Sequence, residues 1–299
     1  MRTIRKFASG CAGRTATDRA GMSEVAFLVV DIETVADGRL VQEVRFPDEP
    51  GLTPAEAVAK YRQQLLAQSN GRSDFVPHTF QIPVSIAVAK VGRDLSLLEA
   101  RTLDRPRFRP PALVRQFWKG WERYGKPTIV TFNGRFFDLP VLELAAYRYG
   151  IPCPAWFMEA GNSSPRSRWN QRAHLDLQEV LTNHGAVMMH GGLNLLSRLV
   201  GGAGKMETKG QMVQDLWEQG QHERIDDYCL CDVLDTWRVL LRTRVLAGQL
   251  DPAREAELHA AAATWIDGAV ATYPGLADYR PRLRTVQPVE DDGPAFHAP

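Results

Sequence analysis

Residues 25–32 (VAFLVVDI) form a nearly continuous apolar, β-branched run, which predicts a central strand buried on both faces. Residues 83–90 and 95–103 predict a second and a third strand, and the Gly-containing stretch 91–94 between them predicts a hairpin turn. The intervening residues 36–78 are polar and irregular around one amphipathic stretch, 54–68, which reads as an inserted helix. Leu113, Phe117, Trp118 and Trp121 share the buried side of a helix over 111–124. A short strand at 127–132 (PTIVTF) and a helix at 139–149, closed by Gly150, follow. Residues 160–172 hold few apolar positions and predict a mobile, basic loop. Residues 174–181 begin another strand-to-helix unit, a Gly-rich segment covers 185–192, and a helix over 193–200 is capped by Gly201. A long helix over 225–246 carries Leu230, Leu234, Trp237 and Leu241 at helical spacing. Strands first, partly in hairpin, then strands alternating with helices: the pattern predicts an α/β fold with a mixed β-sheet flanked by helices.

Composition narrows the class without naming a chemistry. With 44% hydrophobic and 24% charged residues in 299, the chain is an ordinary globular one, and no apolar run reaches membrane-spanning length. Cys11, Cys153, Cys229 and Cys231 are too few and too irregularly spaced for a disulfide framework or zinc site, so reduced thiols and a cytoplasmic location are expected. The net charge of +1 is uneven: residues 1–21 carry +4, which leaves −3 for the rest. The body is therefore not held to nucleic acid mainly by counterion release; any such contact must be local or through bound metal. Residues 1–21 read as a disordered extension, 22–280 as a single catalytic domain with 36–78 inserted, and 281–299 as a disordered tail.

Three short elements carry candidate chemistry. Asp31 and Glu33 lie two apart at the end of the first strand, so period 2 places both carboxylates on one face. Crowded acids repel and raise one another's pKa unless a cation sits between them, and such hard oxygen ligands suit Mg²⁺ or Mn²⁺. A D-x-E pair alone is common in a chain with 35 acids. The second element, T131-F-N-G-R-F-F-D138, puts Asp138 at a strand-to-helix turn, where it either caps the helix ahead of Pro140 or reaches a shared metal. In the third, Y228-C-L-C-D232, Tyr228 and Asp232 share a helix face at i and i+4, while Asp226, Asp227 and Asp235 are decoys.

In this order and at these separations the three elements resemble the DEDD 3′→5′ exonucleases, and Tyr228 resembles the tyrosine subclass of that superfamily. Where the histidine subclass has its base, five residues before the last Asp, this chain has Asp227. The run from Gly192 to Gly201, with G204-K205-M206 and G210-Q211-M212-V213, is similar to the predicted 3′→5′ exonucleases related to the family B DNA polymerase proofreading domain. The resemblance covers roughly 25–250, with little recognisable in 36–78.

The resemblance implies a ribonuclease H-like exonuclease fold and two divalent cations, Mg²⁺ or Mn²⁺, roughly 3.5–4 Å apart. It implies that Asp31 bridges them, Glu33 and Asp232 hold the ion on the nucleophile side, and Asp138 supports the other. Tyr228, as a group with an ordinary pKa near 10, is expected to orient the attacking water rather than deprotonate it. Thr34, Asn133, Phe137 and Lys205 are candidate substrate-binding residues. Of Phe132, Phe136 and Phe137, two are expected in the core. Lys205 and Lys209 are either phosphate contacts or ordinary surface lysines, and His174 and Asp176 either approach the site or are structural. The expected substrate is the 3′ end of single-stranded DNA. An exoribonuclease trimming RNA ends is the alternative, since no motif reports on the 2′-OH. A nucleic-acid-binding module on a retired exonuclease fold is the reading from a different class. A ribonuclease H-like polynucleotidyl transferase is disfavoured by the Y-x-x-x-D helix.

Overall fold

The computed structural model describes residues 25–204 and 210–285. A five-stranded sheet has the order β3-β2-β1-β4-β5, with β1 Val25–Ala36, β2 Gln81–Gly92, β3 Leu97–Thr102, β4 Thr128–Thr131 and β5 His174–Asp176. β1–β2 and β2–β3 are antiparallel, and β1–β4 and β4–β5 parallel, so the sheet is mixed as expected. The first strand runs past the expected residue 32, through Asp31 and Glu33 to Ala36, because β2 keeps pairing with it as far as Ala36↔Gln81. A register shift between Glu33 and Thr34 lies where Thr34 faces Pro83, a residue that cannot donate to the ladder. On the other side β4 pairs only with Phe27–Val29. The acidic end of β1 is thus laddered along one edge and left open along the other.

Alternation along β1 sorts its side chains between two cores. Leu28, Val30 and Ile32 pack with Trp118 and Trp121 of α3 (Pro110–Arg123), with Leu142 of α4 (Asp138–Arg148), and with Trp156. The three tryptophan rings lie 5.4–6.2 Å apart between centroids. Val29 packs on the opposite face against α8 (His222–Leu246), through Leu230, Leu234 and Trp237 among others. Asp31 and Glu33 share Val29's parity and therefore face α8.

The inserted segment holds two helices, α1 (Gly38–Arg45) and α2 (Pro54–Gln68). The second is the expected one: Thr53 caps it, and Glu56 reaches back to Thr53 N at 2.8 Å. α1 was not legible in its polar sequence, yet Val41 and Phe46 join Val58 and Tyr61 in a small separate core. Asp37, the N-cap of α1, is paired with Arg148, which ties the insertion to α4.

The loop 160–172, expected to be mobile, has Arg166 on Glu143 and Arg168 on Glu179, both at 2.8 Å. β5 leads into α5 (Leu177–Leu181), then α6 (Gly192–Leu199), α7 (Gly210–Glu218), α8, α9 (Pro252–Ala269) and α10 (Leu276–Tyr279). Past residue 281, where a disordered tail was expected, Leu283 packs on the core and Arg284 N donates to Gly201 O at 2.8 Å. Residues 1–21 and 286–299 lie outside the described residues. Among the described residues no helix is long and apolar enough to cross a membrane.

The decoy acids of α8 anchor that helix. Asp226 accepts from Ser85 of β2 at 2.6 Å and Thr102 of β3 at 2.7 Å. Asp227 pairs with Arg105 and accepts from Gly275 N, and Asp235 accepts from Tyr279 at 2.8 Å. Replacing Asp226 with Ala leaves two buried hydroxyls without acceptors. Urea unfolding is expected to show a loss of about 1–3 kcal/mol; an unchanged midpoint would place the clamp between α8 and the sheet elsewhere.

Candidate active site

The open end of β1 and the stretch of α8 from Tyr228 to Asp232 meet at the acids. Ligand oxygens of Asp31, Glu33 and Asp232 all lie within 4.8 Å of one another, each on a partly exposed side chain. Tyr228, one turn before Asp232, is buried, and its hydroxyl is hydrogen-bonded to Asp232. Burial, then the charges of Asp232, Glu33 and Asp31, push its pKa well above that of a free phenol, so the group stays protonated and acts as a donor.

Asp138 arrives from the other side. It is the first residue of α4, whose N-cap is Phe137 with no side-chain cap bond, so capping is not its role. It is buried and takes backbone hydrogen bonds from its own N–H and from Ile32 of β1. Burial, opposed by those bonds and assisted by the charges of Asp176 and Asp232, lifts its pKa to about 7. Asp31 is raised well above the ordinary carboxylate range by burial and by Asp138, Asp232 and Glu33. The thiol of Cys229 lies 3.6 Å from Asp31 Oδ2 and partly offsets this. That cysteine was legible as a neighbour of the site only through its place three residues before Asp232 on one helix face.

Asp176 shapes the loop between β4 and α4. Its carboxylate accepts from the backbone N–H groups of Asn133 and Arg135, both at 2.9 Å, and caps α5 through Gln178 N and Glu179 N. Asn133 sits at φ +63°, and a Cβ on Gly134 would meet Thr131 at 2.5 Å, so this turn needs glycine there. His174 is fully buried against Thr131 Oγ1 at 2.8 Å, and burial followed by Arg135 lowers its pKa to about 3. Both residues are structural here, although Asp176 adds its charge to the field at Asp138.

The remaining substrate candidates are scattered. Asn133 Oδ1 accepts from Gln178 Nε2 at 3.2 Å. Phe132 packs against the α8 core and Phe137 against the α3–α4 core, whereas Phe136 is 71% exposed. Lys205 and Lys209 lie outside the described residues. Thr34 and Phe137, with Glu33, line a cavity of about 480 Å³ walled on its far side by Arg62 of α2 and by Phe75. The rings of Phe75 and Phe137 are 5.8 Å apart. Gln81 and Gln214 line the same space. Gln214 is held at both ends, accepting from Ala36 N at 3.0 Å and donating to Glu218 at 2.7 Å. Gln81 donates to Val76 O and keeps a buried Oε1 without a partner, and Arg62 pairs with Asp74 at 2.7 Å. Phe75 escaped the sequence reading because no periodicity marks it and only the folded insertion brings it to Glu33.

An all-oxygen set of carboxylates whose crowding and burial oppose ionisation fits a hard divalent cation, which would remove the cause of the raised pKa values.

Residues 73–281 match the model of a family described as predicted 3′-5′ exonucleases related to the exonuclease domain of PolB. The matched span contains Asp138, Tyr228 and Asp232 and begins after Asp31, Glu33 and helices α1 and α2. No curated protein matches the chain. Among solved structures it is similar to the family B DNA polymerase from the hyperthermophilic archaeon Pyrobaculum calidifontis, with 15% identity and a TM-score of 0.46 over 74% of this chain. The chain spans 24% of that polymerase's length.

The raised carboxylates make stability depend on pH in a definite direction. Asp138 is at 3.8 when unperturbed and about 7 when folded, so the folded state holds its proton more tightly. Its contribution is complete below pH 3.8 and is lost as pH rises through 7. In EDTA the melting temperature is therefore expected to fall between about pH 4 and 8. Asp138→Asn should flatten that fall; melting curves with parallel slopes for the two proteins would show that Asp138 ionises normally.

Proposed function

The chain belongs to the family of predicted 3′-5′ exonucleases related to the exonuclease domain of PolB, and we propose that it removes nucleotides from the 3′ end of single-stranded nucleic acid, with DNA as the favoured substrate. The observation that carries this reading is the meeting of Asp31, Glu33 and Asp232 within 4.8 Å, with Asp138 buried in the same electrostatic field.

In this reading Asp31, Glu33, Asp138 and Asp232 hold two divalent cations, Mg²⁺ or Mn²⁺. Bound there, such ions supply an activated water and neutralise charge on the phosphate and the leaving oxygen. The chain's own residues do the rest. Tyr228 keeps its proton, and its single O–H donates to Asp232 in the free protein and is placed to turn to a water or phosphate oxygen at the acids. Its raised pKa makes it an orienting donor, and proton removal does not fall to it. Asp176 holds the Asn133–Arg135 turn that leads into Asp138, and so acts as a positioning residue. The 480 Å³ cavity beside Glu33 takes the terminal nucleoside, its base against Phe75 and Phe137 and its polar edge towards Gln81, whose Oε1 has no partner. Single-stranded ends suit such a pocket because an unpaired base offers both its face and its edge. A cytoplasmic location belongs to the same proposal and rests on three buried free thiols, Cys153, Cys229 and Cys231.

The test is digestion of 5′-labelled single-stranded DNA and RNA with Mg²⁺, Mn²⁺ or EDTA. Ladders shortening from the 3′ end are expected only with cation, and none from the Asp31→Ala, Glu33→Ala double variant. Faster loss of RNA would reassign the substrate to RNA ends. Binding without cleavage by wild type and variant alike would replace the enzyme with a binding module. Tyr228→Phe is expected to lower kcat about ten- to a hundredfold, the worth of one charge-assisted hydrogen bond. Phe75→Ala is expected to raise KM about fivefold or more at little cost in kcat, the loss of one stacking partner. An unchanged KM would remove the cavity from the substrate path.

A further inference from the structure

A second cavity, of about 330 Å³, lies between the later turns of α8, α9 and the segment after α10, and none of the four acids lines it. Its walls bring Arg238 of α8 and His259 of α9 together with Arg280 and Arg284, while Thr264 and Thr285 add hydroxyls. The alanines that α9 turns towards it leave the space open.

Arg238 is 3% exposed and His259 8%. Nη1 of Arg238 and Nε2 of His259 are both buried without a hydrogen-bond partner. A guanidinium does not lose its proton in a protein, so burying one without partners costs several kcal/mol unless an anion answers it. Asp235 lies in the field of Arg238 but takes a hydrogen bond from Tyr279 at 2.8 Å, and Asp267 pairs with Arg280 at 2.8 Å, so Nη1 of Arg238 is left with no hydrogen-bonded acceptor. Three guanidiniums against one lining carboxylate leave the cavity cationic. His259 is neutral, its pKa pushed down to about 3 by burial and by Arg238 and Arg242, so it offers one ring N–H without adding charge.

We propose that this cavity binds a small phosphate-bearing anion, either inorganic phosphate or a nucleoside 5′-monophosphate. Planar guanidiniums match tetrahedral oxyanions through paired N–H donors, hydroxyls complete the set, and the volume suits a ligand of this size. The inference does not rest on the exonuclease reading. It uses none of that site's residues, although Arg238 stands six residues after Asp232 on the same helix, about 9 Å along its axis.

Calorimetric titration of the full chain in EDTA, at constant ionic strength, tests it with inorganic phosphate in one arm and adenosine 5′-monophosphate in the other. EDTA keeps phosphate from binding through cations at the four acids, where bare carboxylates repel it. Saturable one-site binding is expected. Equal affinity in the two arms would identify free phosphate as the ligand, and a nucleotide preference of about tenfold or more a mononucleotide. Arg238→Met should weaken binding about tenfold or more, and Arg284→Ala by less. Without anion, Arg238→Met should melt within a few degrees of the wild-type temperature, because the lost attraction to Asp235 is set against the removal of a buried guanidinium whose Nη1 has no hydrogen bond. Should that variant fail to fold, Arg284→Ala and Thr264→Val carry the comparison. The proposal is overturned by wild type that binds neither anion, or by variants that bind as tightly as wild type. It is equally overturned if binding appears only after Glu290, Asp291 and Asp292 are neutralised, since the chain's own acidic segment would then be the occupant.

Discussion

The structure depends on holding mutually repelling carboxylates together at the end of one strand. Asp31 and Asp138 both resist ionisation there, through burial and through the charges of the carboxylates around them. No local preference would collect such groups, and the rest of the fold acts as the frame that overcomes their repulsion. β1 supplies the rigid edge: it stays laddered to β2 past Glu33, while the shortness of β4 leaves room for Asp138. Raised carboxylates are a cost to the cation-free protein, and that cost is the reserve from which cation affinity is drawn.

α8 shows how the frame is built. It carries Tyr228 and Asp232 on one face, and it must not rotate or slide if they are to meet β1. Its other acids prevent that movement, each on a different neighbour: Asp226 on β2 and β3, Asp227 on Arg105 and Gly275, Asp235 on Tyr279. Asp226 has its pKa lifted to about 6 by burial, against the pull of Ser85 and Thr102, so even this pin works in a desolvated place. Acids of one type within ten residues thus divide between pinning the helix and joining the carboxylates of β1, and the division follows from what faces each turn of the helix.

The insertion and the segment after α10 extend the frame in opposite directions. The insertion has its own small core and is tied to α4, and it brings Arg62 and Phe75 over Glu33 to complete a pocket that β1 alone would leave open. After α10, Leu283 packs on the α8 core while Arg280 and Arg284 close a cavity above Arg238. Both regions lie outside the three motifs, and both change what surrounds the elements that carry them.

Much of the fold could be read along the chain. The apolar run of β1, the tryptophan face of α3 and the spacing of α8 reflect burial patterns that a linear sequence carries directly. Period 2 and the i, i+4 rule pair Asp31 with Glu33 and Tyr228 with Asp232 before any packing is known, and the resemblance to the DEDD exonucleases, carried by the order of the motifs, added Asp138 to them. α1 was missed because its apolar positions are few. α9 was missed although Asp251 and Pro252 start it with a recognisable N-cap and first turn. The pocket partners Phe75 and Gln214 and the unpartnered Nη1 of Arg238 were beyond reach for a different reason. Each is defined by a neighbour far away in the chain, and such neighbours exist only once two cores have closed on either side of one sheet. What the sequence determined by itself was which residues share a face; which faces meet, and what they bury between them, was decided by packing.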